Sequence, residues 1–234
     1  ATRPDKELSE EEWTNTIHEA LLTAVRRRND VADVPVGVLL SGGLDSSLLV
    51  ALLAELGISD IRTFSIGFED QPEEKGSEFE YSDLVVDRYH PRHHKFLIPN
   101  EDVLKRLPEA VDAMAEPMFG QDAVAFYLLS EQVSKQIKVV QSGQGADEVF
   151  GGYFWYSRMQ DEQGSNLERF RRHYFDRDHD EYLRMVSSSC EVEDITGNYV
   201  AKRLGEPLAD SFLDQALRFD VTTLIVDDPV KRGD

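Results

Sequence analysis

The sequence predicts an α/β protein built on a doubly wound parallel sheet, with a helical C-terminal portion. Three observations predict it. The run Val36 to Leu40 is apolar without alternation, as in a strand buried on both faces. Further strand-like runs follow, separated by segments with helical spacing, which implies βαβ crossovers. Two of the strands end directly in glycine-rich turns, Ser41-Gly42-Gly43 and Ser142-Gly-Gln-Gly145. Ligands of such sheets bind at the carboxyl ends of the strands, where both turns fall.

In chain order, residues 1–8 are polar and read as a linker. Ser9 followed by Glu12 is a capping box, and Trp13, Ile17, Ala20, Leu21, Ala24 and Val25 form the apolar stripe of a first helix that ends near Arg26-Arg27-Arg28-Asn29. The strand Val36–Leu40 passes through Ser41-Gly42-Gly43 into a helix over 44–56, with Leu44, Leu48, Ala51 and Leu52 as its stripe. Gly57 ends that helix. A second strand is expected over 61–68, an acidic loop over 69–79, a helix over 80–89 and a third strand over 93–98. Helices over 100–114 and 123–134 flank a break at 116–122, and a fourth strand covers 137–141. Beyond Tyr153 an aromatic run leads into a polar stretch to Asp180, with helices expected around 182–185, 199–204 and 211–224. Tyr153-Phe-Trp-Tyr156 reads as core rather than as a base-stacking platform.

Composition narrows the function. The chain has 234 residues and a formal net charge of -20, which argues against a general nucleic-acid or anionic-membrane surface. Cys190 is the single cysteine, so no intrachain disulfide exists and a reducing, cytoplasmic setting is expected. No apolar run reaches membrane-spanning length.

The turn after the first strand carries the chemistry. Strand, glycine-rich turn and helix point backbone N–H groups and a positive helix end at an anion. No lysine follows the glycines, so this is not a Walker A loop. Asp45 at the helix start would repel a bare phosphate, which suggests a bridging divalent cation. His93 and His94 are adjacent on a strand and face opposite sides, so they do not share one ion.

Ser41-Gly-Gly-Leu-Asp-Ser46 resembles the SGGxDS signature of the ATP pyrophosphatases, and Ser142-Gly-Gln-Gly-Ala-Asp-Glu-Val-Phe-Gly-Gly-Tyr153 resembles the SGxGADExxGGY segment of glutamine-hydrolysing asparagine synthetases and their relatives. Those relatives include β-lactam synthetases and an N-acetylglutaminylglutamine amidotransferase. The resemblance also takes in Phe64-Ser-Ile-Gly-Phe68 and His93-His94. It implies an adenine nucleotide α-hydrolase-like fold and a synthetase domain over 9–234. It further implies a reaction in which a substrate carboxylate, aspartate or a related acid, is adenylated by Mg·ATP with loss of pyrophosphate. Ammonia then displaces AMP to give an amide. By motif position Asp45 and Asp147 would hold Mg²⁺, and Ser41, Gly42, Gly43 and Ser46 would cradle pyrophosphate. Leu39, Ile66, Ser142 and Gly143 would contact adenosine, and Glu148 would be a second acidic helper or a first-turn charge. A helix N-cap is the competing reading of Asp147, and Asp45 in the same motif system favours the metal.

The departures are also informative. Many asparagine synthetases carry an acidic residue where this chain has Gln144, and Gln144 with the acidic insert 69–76 looks more like the N-acetylglutaminylglutamine amidotransferase branch. The glutaminase half of such enzymes uses an N-terminal cysteine, whereas this sequence starts at Ala1. Asp227-Asp-Pro-Val-Lys-Arg-Gly-Asp234 resembles the opening of a segment that continues in the family. The expectation is therefore a synthetase domain that stops early and receives ammonia from a glutaminase domain outside this sequence, with a homodimer among the assemblies it allows.

Overall fold

The computed structural model describes residues 8–70, 75–114 and 122–227. Residues 1–7, most of the expected break at 116–122, the centre of the acidic insert and the segment 228–234 lie outside the described residues. Two compact units divide the chain, Thr2–Gln144 and Gly145–Arg232.

The first unit is the expected α/β layer. Its elements are α1 (Glu10–Asp30), β1 (Val36–Leu39), α2 (Leu44–Glu55), β2 (Arg62–Phe68), α3 (Phe79–Tyr89), β3 (Arg92–Ile98), α4 (Asn100–Ala113), α5 (Asp122–Ser134) and β4 (Val139–Gln141). The four strands are parallel in the order β3-β2-β1-β4. The chain winds outward from β1 through β2 to β3 and returns to β1's other side as β4, so the switch point lies between β1 and β4. Alternate residues of β1 feed opposite faces. Val38 and Leu40 join a core with Leu22, Val25, Val50 and Leu53 from α1 and α2. Leu39 packs instead with Phe64 and with Leu129, Val133 and Ile137 from α5 and the stretch after it. Helices therefore cover both faces.

The capping box of α1 forms as read, with the Ser9 N–H donating to Glu12 Oε2 at 2.8 Å and the Glu12 N–H to Ser9 Oγ at 3.3 Å. Two stripes differ from expectation. In α1 only Leu22 and Val25 are buried, while Trp13 and Ile17 are exposed. The helix has 21 residues against 12 in α2, its packing partner, so half of it overhangs. In α2 the buried positions are Ser46, Val50, Leu52 and Leu53, whereas Leu44 and Leu48 point outward. Because α2 is apolar nearly all round, its composition did not single out the face that the sheet would choose.

The histidines sit on β3, an edge strand. Thr63 Oγ1 and His93 Nδ1 lie 2.8 Å apart, and the His94 ring stacks on Phe64 with centroids 5.2 Å apart. Thr63 and Phe64 are consecutive on β2 and face opposite sides of the sheet, as do their histidine partners.

Among the described residues the second unit is built of helices. It contains α6 (Ala146–Phe150), α7 (Phe154–Asp161), α8 (Asn166–Tyr174), α9 (His179–Met185), a 3₁₀ turn (Ser188–Cys190), α10 (Ile195–Leu204), α11 (Phe212–Thr222) and α12 (Leu224–Asp227). Its core joins Met159, Phe170, Val200, Leu204, Ala216 and Phe219. The stretch read as polar to Asp180 holds α8, which opens on a capping box formed by Ser165 and Glu168. In the aromatic run Tyr156 is buried as expected, while Phe154 is exposed beneath the Arg158 guanidinium. Among the described residues no helix is long and apolar enough to cross a membrane.

Candidate active site

The carboxyl ends of β1 and β4 lie side by side, because the register pairs Val38 with Gln141. From β1 the chain turns through Ser41, Gly42 and Gly43 into α2, and from β4 it turns through Ser142 and Gly143. Gly42 has φ +91°, in the left-handed region. It also lies against the first turn of α3, where a Cβ would stand 2.4 Å from the Ser82 backbone nitrogen. Gly143 presses on the start of α2: a Cβ there would be 2.8 Å from the Asp45 Cβ and 2.9 Å from the Ser46 nitrogen. The absent side chains let two backbone turns from distant parts of the sequence meet at Asp45 and Ser46.

Hydroxyls organise the first turn. The Ser41 and Ser46 Oγ atoms are 3.0 Å apart, and the Gly43 N–H donates to Ser41 Oγ at 3.2 Å. Ser46 and Ser47 donate their hydroxyls to the Gly43 carbonyl at 3.3 and 2.7 Å. Ser46 is buried. Gly43 is the N-cap residue of α2 and offers no side-chain cap, so the positive end of the helix dipole falls at this turn. Asp45 stands in that same first turn.

Beside Ser41 a cavity of about 210 Å³ opens between the ends of β1 and β2 and the start of α3, lined by Leu40, Ser41, Ser65, Ile66, Phe68 and residues 76–79. Its walls are mostly apolar, with the Ser41 end leading to the glycine turn. The neck of the acidic insert closes it on one side, where the Phe68 N–H donates to the Gly76 carbonyl at 2.7 Å and the Gly76 N–H to Asp70 Oδ1 at 2.9 Å. Of the residues assigned to adenosine, Leu39 and Ile66 both pack against the core with Phe64 and α5, and of the two Ile66 also lines this cavity. Ser142 is exposed and Gly143 abuts Asp45. Leu40, Phe68 and Phe79 were not singled out by the sequence, although Phe68 closes the Phe64–Phe68 segment that carries part of the resemblance.

Asp147 and Glu148 belong to the second unit, in the first turn of α6. Gly145 is the N-cap residue there, so Asp147 is not the cap. Glu148 is 1% exposed and its Oε1 accepts from the Tyr153 hydroxyl at 2.9 Å. Burial, then this bond, hold the Tyr153 phenol proton on well beyond its ordinary range. Behind them Asp220 is fully buried and accepts from the hydroxyls of Tyr156 and Tyr174. Desolvation pushes the Asp220 carboxyl up to about 6, against the opposing pull of the two phenols. No sequence signal marked Asp220; Tyr153 could have been found as the last residue of the second motif.

Among the described residues no group of three or more His, Cys, Asp or Glu side chains is arranged to hold a metal ion. Mg²⁺ does not require one, because it is usually held by one or two carboxylates with substrate phosphates and water. Asp45, at a helix start beside two serine hydroxyls, is the donor type that fits a metal–phosphate ligand.

Comparison with known proteins bears on this arrangement. The asparagine synthase family matches residues 16–234. A Methanocaldococcus jannaschii protein whose name places it among the glutamine-hydrolysing asparagine synthetases is 34% identical over 195 residues, 82% of this chain and 34% of that one. Asparagine synthetase (glutamine-hydrolysing) 1 of Bacillus subtilis is 36% identical over 53% of this chain and 19% of its own length. Asparagine synthetase (glutamine-hydrolysing) 3 of the same organism is 29% identical over 79% and 30%. The chain thus spans about a third or less of the relatives it matches.

Proposed function

The chain belongs to the asparagine synthase family, and from that premise we propose that it is the ATP-consuming synthetase part of an amide-forming ligase. The observation that carries the reading is the meeting of the two turns at the β1/β4 switch point. An uncapped helix start, the Ser41 and Ser46 hydroxyls and Asp45 stand together there, next to an apolar cavity.

In this reading the cavity walls Leu40, Ile66, Phe68 and Phe79 take the adenine of ATP. Ser41, Ser46 and the first N–H groups of α2 take the β and γ phosphates, where donors aimed at developing charge favour the departing pyrophosphate. By motif position Asp45 and Asp147 are the carboxylates assigned to Mg²⁺. When bound, the ion neutralises charge on the pyrophosphate leaving group. An oxygen of the substrate carboxylate bonds to the α-phosphorus as the bond from that phosphorus to the β-bridging oxygen breaks. The nitrogen of ammonia then bonds to the acyl carbon, AMP leaves with the bridging oxygen, and a proton is lost to give the amide. Ammonia would come from a glutaminase domain. Aspartate and N-acetylglutaminylglutamine are the acids to compare, since Gln144 replaces an acidic residue of many asparagine synthetases. Glu148, enclosed with Tyr153, serves as support rather than as a group touching substrate.

The test is product analysis. The protein is incubated with Mg·ATP, ammonium and each acid, and the nucleotides are separated. AMP and pyrophosphate are expected in equal amounts with the amide. ADP and phosphate would indicate a kinase-like transfer, and no acid-dependent turnover of any carboxylate by the full-length protein would contradict a ligase.

A further inference from the structure

The helix that carries Asp147 is too short to hold itself. α6 has five residues, and isolated helices of that length do not persist in water. The N–H groups of Gly151 and Gly152 close on the Asp147 carbonyl, and the Asp147 carboxylate lies over Gly152, occupying the space a side chain there would need. The next residue, Glu148, is tied to Tyr153. Tyr153 is the N-cap residue of α7, and within that helix Tyr156 reaches Asp220. Tyr174, at the end of α8, reaches the other oxygen of Asp220. Asp220 lies on α11, which packs on both α6 and α7.

Two buried carboxylates and three phenols thus join four helices behind one short turn. Such a lattice is a costly way to obtain stability, since apolar side chains of similar volume usually do as well. Glu148 sharpens the point. Its Oε2 is buried with no hydrogen-bond partner, and an under-satisfied buried carboxylate is expensive. Its one phenol bond fixes the residue adjacent to Asp147.

We propose that this acid–phenol lattice positions the Asp147 carboxylate, with Glu148 and Tyr153 as the positioning residues next to it and Asp220 as their anchor. The inference rests on the reading that Asp147 holds the metal of Mg·ATP. Partners that orient a metal-bearing carboxylate commonly set its affinity, and their loss costs roughly 10–100-fold.

The test is ATP binding as a function of Mg²⁺ concentration in the wild type, Asp147→Ala, Tyr153→Phe and Glu148→Gln. Tyr153→Phe removes the phenol donor and keeps the ring that stacks on Trp155; it is expected to raise the half-saturating Mg²⁺ concentration roughly tenfold. Glu148→Gln keeps an acceptor for Tyr153 and is expected to stay within about twofold of wild type, whereas a direct ligand would lose far more. If Tyr153→Phe does not fold, Tyr156→Phe is expected to shift Mg²⁺ dependence in the same direction by less. Should Asp147→Ala shift the Mg²⁺ dependence while folded phenylalanine variants keep the wild-type curve, the lattice proposal is overturned and the metal reading stands. A Glu148→Gln loss as large as that of Asp147→Ala also overturns it. If Asp147→Ala changes nothing, the metal reading fails and takes the lattice proposal with it.

Discussion

Gly42→Ala is expected to lower stability by about 3 kcal/mol and to abolish ATP binding in whatever fraction stays folded. Two costs add. The residue has φ +91°, where an alanine loses roughly 1–2 kcal/mol relative to its ordinary backbone region. Its Cβ would also stand 2.4 Å from the Ser82 nitrogen and 2.5 Å from the Tyr81 carbonyl carbon. Both are backbone atoms in the first turn of α3 and cannot rotate aside, so overpacking adds about 1–3 kcal/mol. Ser82 is itself fully buried. Relief therefore requires either the helix or the glycine turn to move, and the turn is the candidate phosphate cradle. Denaturant unfolding with parallel ATP titration measures both effects. A variant as stable as wild type that binds ATP normally would show that the turn is not held against α3 as described.

Asp220→Asn is expected to remove a distinct pH dependence of stability. The folded-state value of Asp220 is raised to about 6, above its ordinary value near 3.9. The native state therefore binds this proton more tightly than the unfolded chain does. The associated stabilisation is fully present below about pH 4 and is lost as pH rises through about 6, a change of about 3 kcal/mol. Other carboxylates of this acidic chain titrate in the same window, so the difference between wild type and variant is the informative quantity. That difference should change in the variant's favour by about 2 kcal/mol between pH 4 and 7. Denaturant unfolding across that range supplies it. Parallel curves would mean that the Asp220 carboxyl is not raised.

What the sequence revealed, and what it concealed, follows from where information is local. The strand at 36–40 was visible as a continuous apolar run, while those at 61–68, 93–98 and 137–141 mix polar with apolar residues and were placed by the turns and helical segments that bound them. The burial of α2 was not visible in the same way, since Leu44 and Leu48 look as suitable for a core as Val50 and Leu53. Only the sheet decides between the faces. The turns at Ser41–Gly43 and Ser142–Gly145 announced themselves by composition, but the contact of Gly143 with Asp45 depends on β4 returning beside β1, a property of strand order. The helix at Asn166–Tyr174 was missed because its residues are charged, although Ser165 and Glu168 spelled a capping box and Leu167, Phe170 and Tyr174 recur at helical spacing. Asp220 was illegible for a different reason. A lone carboxylate in a helix reads as surface, and only the packing of α7, α8 and α11 reveals that two tyrosines enclose it.

The most direct test of the account is calorimetric titration of ATP into the protein with Mg²⁺ present and with Mg²⁺ chelated, in the wild type, Asp45→Ala and Asp147→Ala. Binding is expected to depend on Mg²⁺ and to be weakened by either substitution by about 1–3 kcal/mol, with folding intact by circular dichroism. Tight binding that ignores both Mg²⁺ and the two aspartates would contradict it.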